Sequence, residues 1–379
     1  MKSASKMASL RFRNFKPCVH GADVFEAKAK AGLISNEISD FSSSVNPLGA
    51  SVKVLEAIKE NLGLISRYPD SNSTILRETI ARHYGSLSKE NIIIGNGSTE
   101  LIYLFAEAFL QRGNIALVGA PSFGEYEKAV LRAGKKVKYV RLGKDFLLDS
   151  DLVISNMGEK VKIIFLCNPN NPTSLLTKTE DLLKIVENAF EKDVLVFLDE
   201  DFLEFVDESS KLSLINRVEE FPNLFVLRSF TKLHGLTGLR VGYGVASKEI
   251  VEILVKAKIP WNLNCLGQIA AMAALSDEEH LRKSLALVKE EKSFLMRELE
   301  KFEGFKVYPP DANFFFIDIH NCGFSAAQLK EKLLTYGVLI RDCSSFAGLD
   351  KYYIRIAVKT RSENEKLIGA LKKSLQTKA

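Results

Sequence analysis

The sequence predicts an α/β chain: a large unit built on a seven-stranded, mostly parallel sheet, followed by a smaller α+β unit. From about Ser51 onward, apolar runs of strand length alternate with longer helical patterns, the rhythm of a parallel sheet covered by helices. Several of the runs, such as Ile163-Ile164-Phe165-Leu166 and Val194-Leu195-Val196-Phe197-Leu198, are apolar throughout, which suits strands buried on both faces. After Pro260 the rhythm changes to one long helical stretch and then to short strands.

In chain order, the stretch from Met1 to Lys16 is basic, lacks acids and has no apolar core, so it reads as a disordered extension and not as a secretory signal. Met7 is a second candidate start. Strands are expected at Asn91 to Ile94, Ile115 to Val118, Lys136 to Arg141, Val161 to Leu166, Val194 to Leu198, Leu224 to Leu227 and Val241 to Val245. The helical stretch runs from Leu266 to about Phe302, and further strands follow near Phe305 to Tyr308, Phe314 to Ile319, Val338 to Arg341 and Tyr352 to Val358. Residues 1–50 form an arm joining the small domain, 51–260 the large domain and 261–379 the small one. No linker separates the last two, so a packed junction is expected, and such junctions often hold ligand sites.

With 379 residues, 46% of them hydrophobic, the chain can bury a sizeable core. A formal charge of +5 spread over 52 basic and 47 acidic residues is a weak field for nucleic acid. No apolar run approaches the roughly 20 residues that span a bilayer, so no membrane partner is expected. Cys18, Cys167, Cys265, Cys322 and Cys343 are scattered, with no CxxC pair to suggest zinc or redox chemistry. Idle thiols in a reducing cytoplasm are the expectation, and no metal.

Five places carry chemistry. Asn96-Gly97-Ser98-Thr99-Glu100 follows a strand and opens a helical pattern; the free N–H groups of such a start favour a phosphate, although Ser98 or Thr99 serves as readily as a plain cap. Cys167-Asn168-Pro169-Asn170-Asn171-Pro172-Thr173 ends a strand in a turn held extended by its X-Pro steps, from which an amide can reach a ligand. Asp199 closes the most apolar strand, and a carboxylate there points into the ligand crevice of a parallel sheet or caps a helix. Ser229-Phe230-Thr231-Lys232 leaves another buried strand, with Gly235, Gly238 and Arg240 close behind. A desolvated lysine in that setting has a lowered pKa and forms imines readily. Arg341 and Arg355, on successive strand candidates, either grip a carboxylate or phosphate or serve as surface groups.

Taken in order, the glycine turn, Asn171-Pro172, Asp199, Ser229-x-x-Lys232, Arg240 and Arg355 resemble the fold-type I enzymes of pyridoxal 5′-phosphate (PLP), in the aspartate aminotransferase superfamily, from about His20 to the end. The resemblance implies PLP as cofactor, Lys232 as its Schiff-base lysine and Asp199 as partner of the pyridinium nitrogen. It makes Asn171 the contact to the ring hydroxyl and Phe123 the aromatic stacked on the ring. The phosphate would lie between Ser98, Thr99, Ser229 and Arg240, with Tyr68 reaching in from the second subunit of a homodimer. Arg355 would hold a substrate carboxylate.

Within the superfamily the chain resembles two neighbours, histidinol-phosphate aminotransferase and the threonine-phosphate decarboxylase of cobalamin biosynthesis. His20-Gly21, Asp40 to Gly49, Pro260 to Asn264 and Ile340 to Leu349 are similar to the decarboxylase versions of those segments. The expectation is therefore a decarboxylase of O-phospho-L-threonine or O-phospho-L-serine, giving an aminoalkyl phosphate for a cobamide nucleotide loop. Both families take a phosphorylated small molecule, whose phosphate Arg341 would bind, with His20 and Asn46 in the same pocket. Histidinol-phosphate aminotransferase is the alternative; a ligand-binding module without turnover is the alternative from another class. Phe202, Ser174 and the run Leu233 to Thr237 depart from the usual pattern, and His234 either approaches the imine or faces the domain core or solvent.

Overall fold

The computed structural model describes residues 7–13, 15–21, 24–31 and 38–376, so part of the expected N-terminal extension lies outside the described residues. A two-residue strand, β1 (Ser39–Asp40), leads into the large unit. That unit is a seven-stranded sheet of β2 (Ile92–Asn96), β3 (Ile115–Ala120), β4 (Lys136–Arg141), β5 (Val161–Cys167), β6 (Leu195–Asp199), β7 (Leu224–Ser229) and β8 (Val241–Ala246). The spatial order is β2-β8-β7-β6-β5-β3-β4. Only β8 runs against its neighbours, β2 and β7; the pairings among β4, β3, β5, β6 and β7 are parallel.

Alternation along each strand sends neighbouring side chains to opposite faces. Ile164, Leu166, Val196, Leu198 and Val226 join one core with the helices Val52–Glu60, Thr74–Tyr84 and Thr179–Glu191. Ile163, Phe165, Phe197 and Phe225 join the other, under the helix Ser98–Phe109. Both faces being covered explains the continuously apolar strands. On the second face Phe197 stacks on Phe225 with centroids 4.9 Å apart. Gly244 makes that possible, because a Cβ there would lie 2.0 Å from the Phe225 ring.

The smaller unit is an antiparallel sheet of β9 (Lys306–Tyr308), β10 (Phe314–Asp318), β12 (Arg341–Asp342) and β13 (Tyr353–Ala357), ordered β12-β13-β10-β9. β11 (Val338–Leu339) pairs instead with β1. Phe41 beside β1 is buried in the same core as Phe314, Ile340 and Ile354.

One sequence expectation needs correcting. The helical stretch from Leu266 is two helices, Cys265–Leu275 and Glu278–Leu299, because the Asp277 side chain accepts from His280 N and starts the second. The helices also pack on different units. Ala270, Ala271 and Ala274 sit in the large-unit core, whereas Val288, Leu295 and Leu299 sit in the small-unit core. The change of packing partner thus falls at Ser276-Asp277.

Candidate active site

The carboxyl ends of β6 and β7 open onto a crevice that the small unit closes from one side. Two adjoining cavities share Phe123, Asn171, Phe202 and Lys232 in their walls. The inner one, about 100 Å³, is also lined by Ser98, Thr99, Asp199, Asp201 and Arg240. The outer one, about 170 Å³, is also lined by Cys18, His20, Ser42, Ser43, Arg341 and Arg355.

Lys232 follows β7 directly, and its Nζ stands 5.1 Å from the centre of the Phe202 ring. Burial holds its pKa below the usual lysine range, against the opposing pull of Asp201. Asp199, at the end of β6, accepts from the Tyr126 hydroxyl at 2.6 Å and from Asp201 N at 3.0 Å. Burial, and next the Asp201 charge, push its carboxyl up to about 7, because the two hydrogen bonds do not offset the cost of a charge out of water beside a like charge. Asp201 accepts from the Ser98 hydroxyl at 3.0 Å through Oδ2, while its buried Oδ1 has no partner among the described residues.

The start of the helix Ser98–Phe109 is pressed against β8 and Arg240 by two residues without side chains. A Cβ on Gly97 (φ 81°) would lie 2.5 Å from Arg240 Nη2, and one on Gly242 would lie 2.4 Å from Ser98 N. Backbone N–H groups at this start, the Arg240 guanidinium and a positive helix end form a cradle for an anion. With Phe123, Asp199 and Lys232 together in its wall, the inner cavity has the residues that suit PLP, and Asp201 Oδ1, unpartnered among the described residues, marks a place for a further polar group.

The outer cavity is cationic. Arg341 and Arg355 face each other in register across β12 and β13. Arg355 donates to Asn171 Oδ1 at 2.5 Å and to Ser42 O at 2.7 Å, its buried Nε has no partner, and burial lowers its pKa to about 10. Arg341 donates to the carbonyls of Val19 and His20, each at 2.7 Å, and to Ser345 Oγ at 2.8 Å.

Of the residues singled out in the sequence, Ser98, Thr99, Phe123, Asn171, Asp199, Lys232 and Arg240 meet in the inner cavity, and His20, Arg341 and Arg355 with Asn171 and Lys232 in the outer one. Ser229 lies just behind, its hydroxyl accepting from Thr231 N at 3.2 Å. The Ser98 hydroxyl is committed to Asp201. Asn46 does not join the pocket: its buried amide donates to Leu233 O and Ser284 Oγ and its oxygen accepts from Leu48 N, so it fixes a loop. Tyr68 is not brought to its own chain's site; it is 82% exposed and packs on Trp261 at 5.0 Å. His234 faces the core, 4.9 Å from the Phe230 ring and 3.8 Å from Glu204. Ser174 takes a left-handed φ of 64° and accepts from Ala312 N through its buried hydroxyl, which accounts for a glycine being usual there.

Sequence reasoning missed Tyr126, Asp201, Cys18 and Glu125. Asp201 had a weak signal in the acidic run Asp199-Glu200-Asp201; the others come to the site across long stretches of chain.

A family model described as aminotransferase class I and II matches residues 32–371. The chain is 35% identical over 364 residues to a histidinol-phosphate aminotransferase of Methanosphaera stadtmanae, covering 96% of this chain and 97% of that one. It is 34% identical to that of Methanothermobacter thermautotrophicus, covering 99% and 100%. Among solved structures, histidinol-phosphate aminotransferase from Clostridium acetobutylicum superposes with a TM-score of 0.82 at 31% identity, over 89% of this chain and 98% of that one. L-threonine-O-3-phosphate decarboxylase from Porphyromonas gingivalis gives 0.79 at 29%, over 89% and 99%. The Sinorhizobium meliloti histidinol-phosphate aminotransferase with PLP gives 0.87 at 23%, over 99% and 100%, a likeness of fold. These relatives overturn the expectation of a decarboxylase: nearly full-length matches at 34–35% carry the aminotransferase name. Of the segments read as decarboxylase-like, His20-Gly21, Ser42 to Ser44 and Arg341 with Ser345 and Phe346 line the outer cavity, whereas Pro260 to Asn264 does not.

Proposed function

This chain belongs to the class I and II aminotransferases, and on that premise we propose that it is a histidinol-phosphate aminotransferase, exchanging the amino group of L-histidinol phosphate with a 2-oxo acid such as 2-oxoglutarate. The observation that carries the reading is the end-to-end similarity to enzymes of that name, joined to a Lys232 cavity with two arginines in its wall.

PLP is the cofactor, and when bound it supplies an electrophilic carbonyl and a protonated ring that draws electrons from the substrate's Cα. Lys232 would hold it covalently through Nζ, Phe123 would lie against the ring, Asn171 would reach its oxygen, and the helix start at Ser98-Thr99 with Ser229 and Arg240 would take the phosphate. Asp199, ionised once it faces a cation, keeps the ring nitrogen protonated; Tyr126 and Asp201 N hold the carboxylate in place. Lys232 Nζ would be the base that takes the proton from the substrate's Cα and the acid that gives it back. Its lowered pKa leaves a larger neutral, basic fraction near neutral pH.

Histidinol phosphate has a phosphate ester where an amino acid has its carboxylate. Arg355 and Arg341 would therefore grip phosphate in one half-reaction and the carboxylates of the 2-oxo acid in the other, and a guanidinium suits both. The same fit supports a small anionic substrate in general; the amine donor is the finer claim.

A homodimer is also proposed. Val52, Leu55, Leu62, Ile65, Ile75, Ile259 and Trp261 are exposed on the layer of helices that packs around Cys265–Leu275. Such a face calls for a partner, and a second copy would bring Tyr68 to the neighbouring inner cavity.

The test is a product assay on the purified holoenzyme. Glutamate should form in step with loss of L-histidinol phosphate and only when 2-oxoglutarate is present, and O-phospho-L-threonine should release no carbon dioxide. Steady decarboxylation without a 2-oxo acid, with histidinol phosphate untouched, would overturn the reading.

A further inference from the structure

At the mouth of the outer cavity the segment Cys18-Val19-His20 lies across the turn Phe123-Gly124-Glu125. The Arg341 guanidinium ties this strap down by donating to the carbonyls of Val19 and His20 at 2.7 Å each. Gly124 allows the thiol to come in close, since a Cβ there would lie 2.6 Å from Cys18 Sγ. His20 Nε2 is 2.6 Å from Glu125 Oε1, and the Tyr103 hydroxyl donates to Glu125 Oε2 at 2.5 Å. One donor atom from each of Cys18, His20 and Glu125 lies within 4.8 Å of the other two.

We propose that Cys18 Sγ, His20 Nε2 and Glu125 Oε1 form a binding site for a zinc-class divalent cation beside the substrate cavity. The donor set matches the metal: thiolate, imidazole and carboxylate together suit Zn²⁺ and its neighbours, and exclude the oxygen-seeking Mg²⁺ and Ca²⁺. Atoms mutually within 4.8 Å share a centre no more than about 2.8 Å from each, against zinc bonds of ~2.0–2.3 Å. A small contraction closes the site. The His20–Glu125 pair, 2.6 Å apart, must open by roughly 0.8 Å to take two such bonds at a tetrahedral angle, and the His20 side chain, 50% exposed, is free to swing. Tyr103 orients the carboxylate from behind, as outer partners of metal ligands do. Three protein ligands leave a fourth position for water.

No spacing in the sequence announces this site, because two ligands come from the strap and the third from a helix more than a hundred residues later. Binding replaces the S–H bond of Cys18 with a sulfur–metal bond and releases the proton to solvent. Because the thiol must give up that proton to bind, affinity climbs with pH.

The experiment is a titration of the chelator-treated holoenzyme with ZnCl₂, and separately with CoCl₂ as an optical probe. One Zn²⁺ per chain should bind, more tightly at pH 8 than at pH 6, and Co²⁺ should give a thiolate-to-cobalt charge-transfer band. Cys18→Ser should abolish the band and weaken Zn²⁺ at least tenfold, Glu125→Gln should weaken it too, and Cys265→Ser should change neither. PLP absorbance of each variant reports that it is folded. A band and stoichiometry that survive in Cys18→Ser, or no binding to the wild-type chain, would overturn the site. These readings involve no turnover, so they stand apart from the proposed transamination.

Discussion

Asp199 lives under two demands, and they give a test at the scale of one residue. Without a cation beside it, the buried carboxyl is pushed up to about 7 by burial and by Asp201. A carboxyl whose folded pKa is raised lends stability while protonated, fully present below its ordinary value of 3.8 and lost as pH rises through about 7. The loss is on the order of 4 kcal/mol at most, and Asp201, also raised, titrates alongside. Asparagine has the same shape and no charge. Apoprotein carrying Asp199→Asn should therefore melt higher relative to wild type at pH 8 than at pH 5, while in the holoenzyme, where the ring cation takes the charge, the advantage should reverse into weaker PLP binding. An equal gap at both pH values in the apoproteins would show that Asp199 is not held above its ordinary range.

Elements reveal which parts of this molecule were legible in the sequence. Most of the sheet strands were placed by their apolar runs, because both sheet faces are buried there and the signal needs no tertiary information; β4, at the sheet edge and largely exposed, has no such run. Lys232, Asp199 and Asn171 were legible for a related reason: each ends or follows such a strand. The helix break at Asp277 was missed although Asp277-Glu278-Glu279 is a start signal, because the apolar periodicity continues across it. Tyr126 was illegible, since its partner Asp199 lies 73 residues away and only the packing of the helix Glu125–Arg132 on the sheet, with Tyr126 stacked on Phe165, joins them. The close contact of β8 with the helix start at Ser98 was equally hidden, and it carries a prediction. A Cβ at residue 242 would stand 2.4 Å from Ser98 N, a backbone atom that cannot step aside. Gly242→Ala should cost about 1–3 kcal/mol through overpacking and push the phosphate cradle out of shape. Gel-filtered variant should lose PLP at least several-fold faster than wild type while keeping its circular dichroism; unchanged PLP retention would mean the cradle tolerates the shift.

The whole molecule explains why the activity was harder to read than the chemistry. Lys232 and Asp199 serve decarboxylation and transamination alike, and the cationic outer cavity accepts a phosphorylated amine in either case, so only similarity along the entire chain separated them. The whole molecule is also where Tyr68 must be judged. On its own chain it is 82% exposed and packed against Trp261, on the apolar face assigned to a second copy. If the pairing is a two-fold dimer, each inner cavity takes Lys232 from one chain and Tyr68 from the other. A hydrogen bond from Tyr68 to an ionised phosphate is worth about 1.5–3 kcal/mol, so Tyr68→Phe alone should lower PLP affinity about tenfold or more, and Lys232→Ala alone should leave no cofactor that borohydride can trap. Refolding the two variants together in equal amounts makes half of the dimers hybrid. Each hybrid has one cavity with both residues intact and one with neither, so about a quarter of all cavities should recover wild-type PLP affinity and trapping. A chain that used its own Tyr68 would recover nothing on mixing, because no cavity would then hold both residues, and the mixture would behave as the average of its two parents.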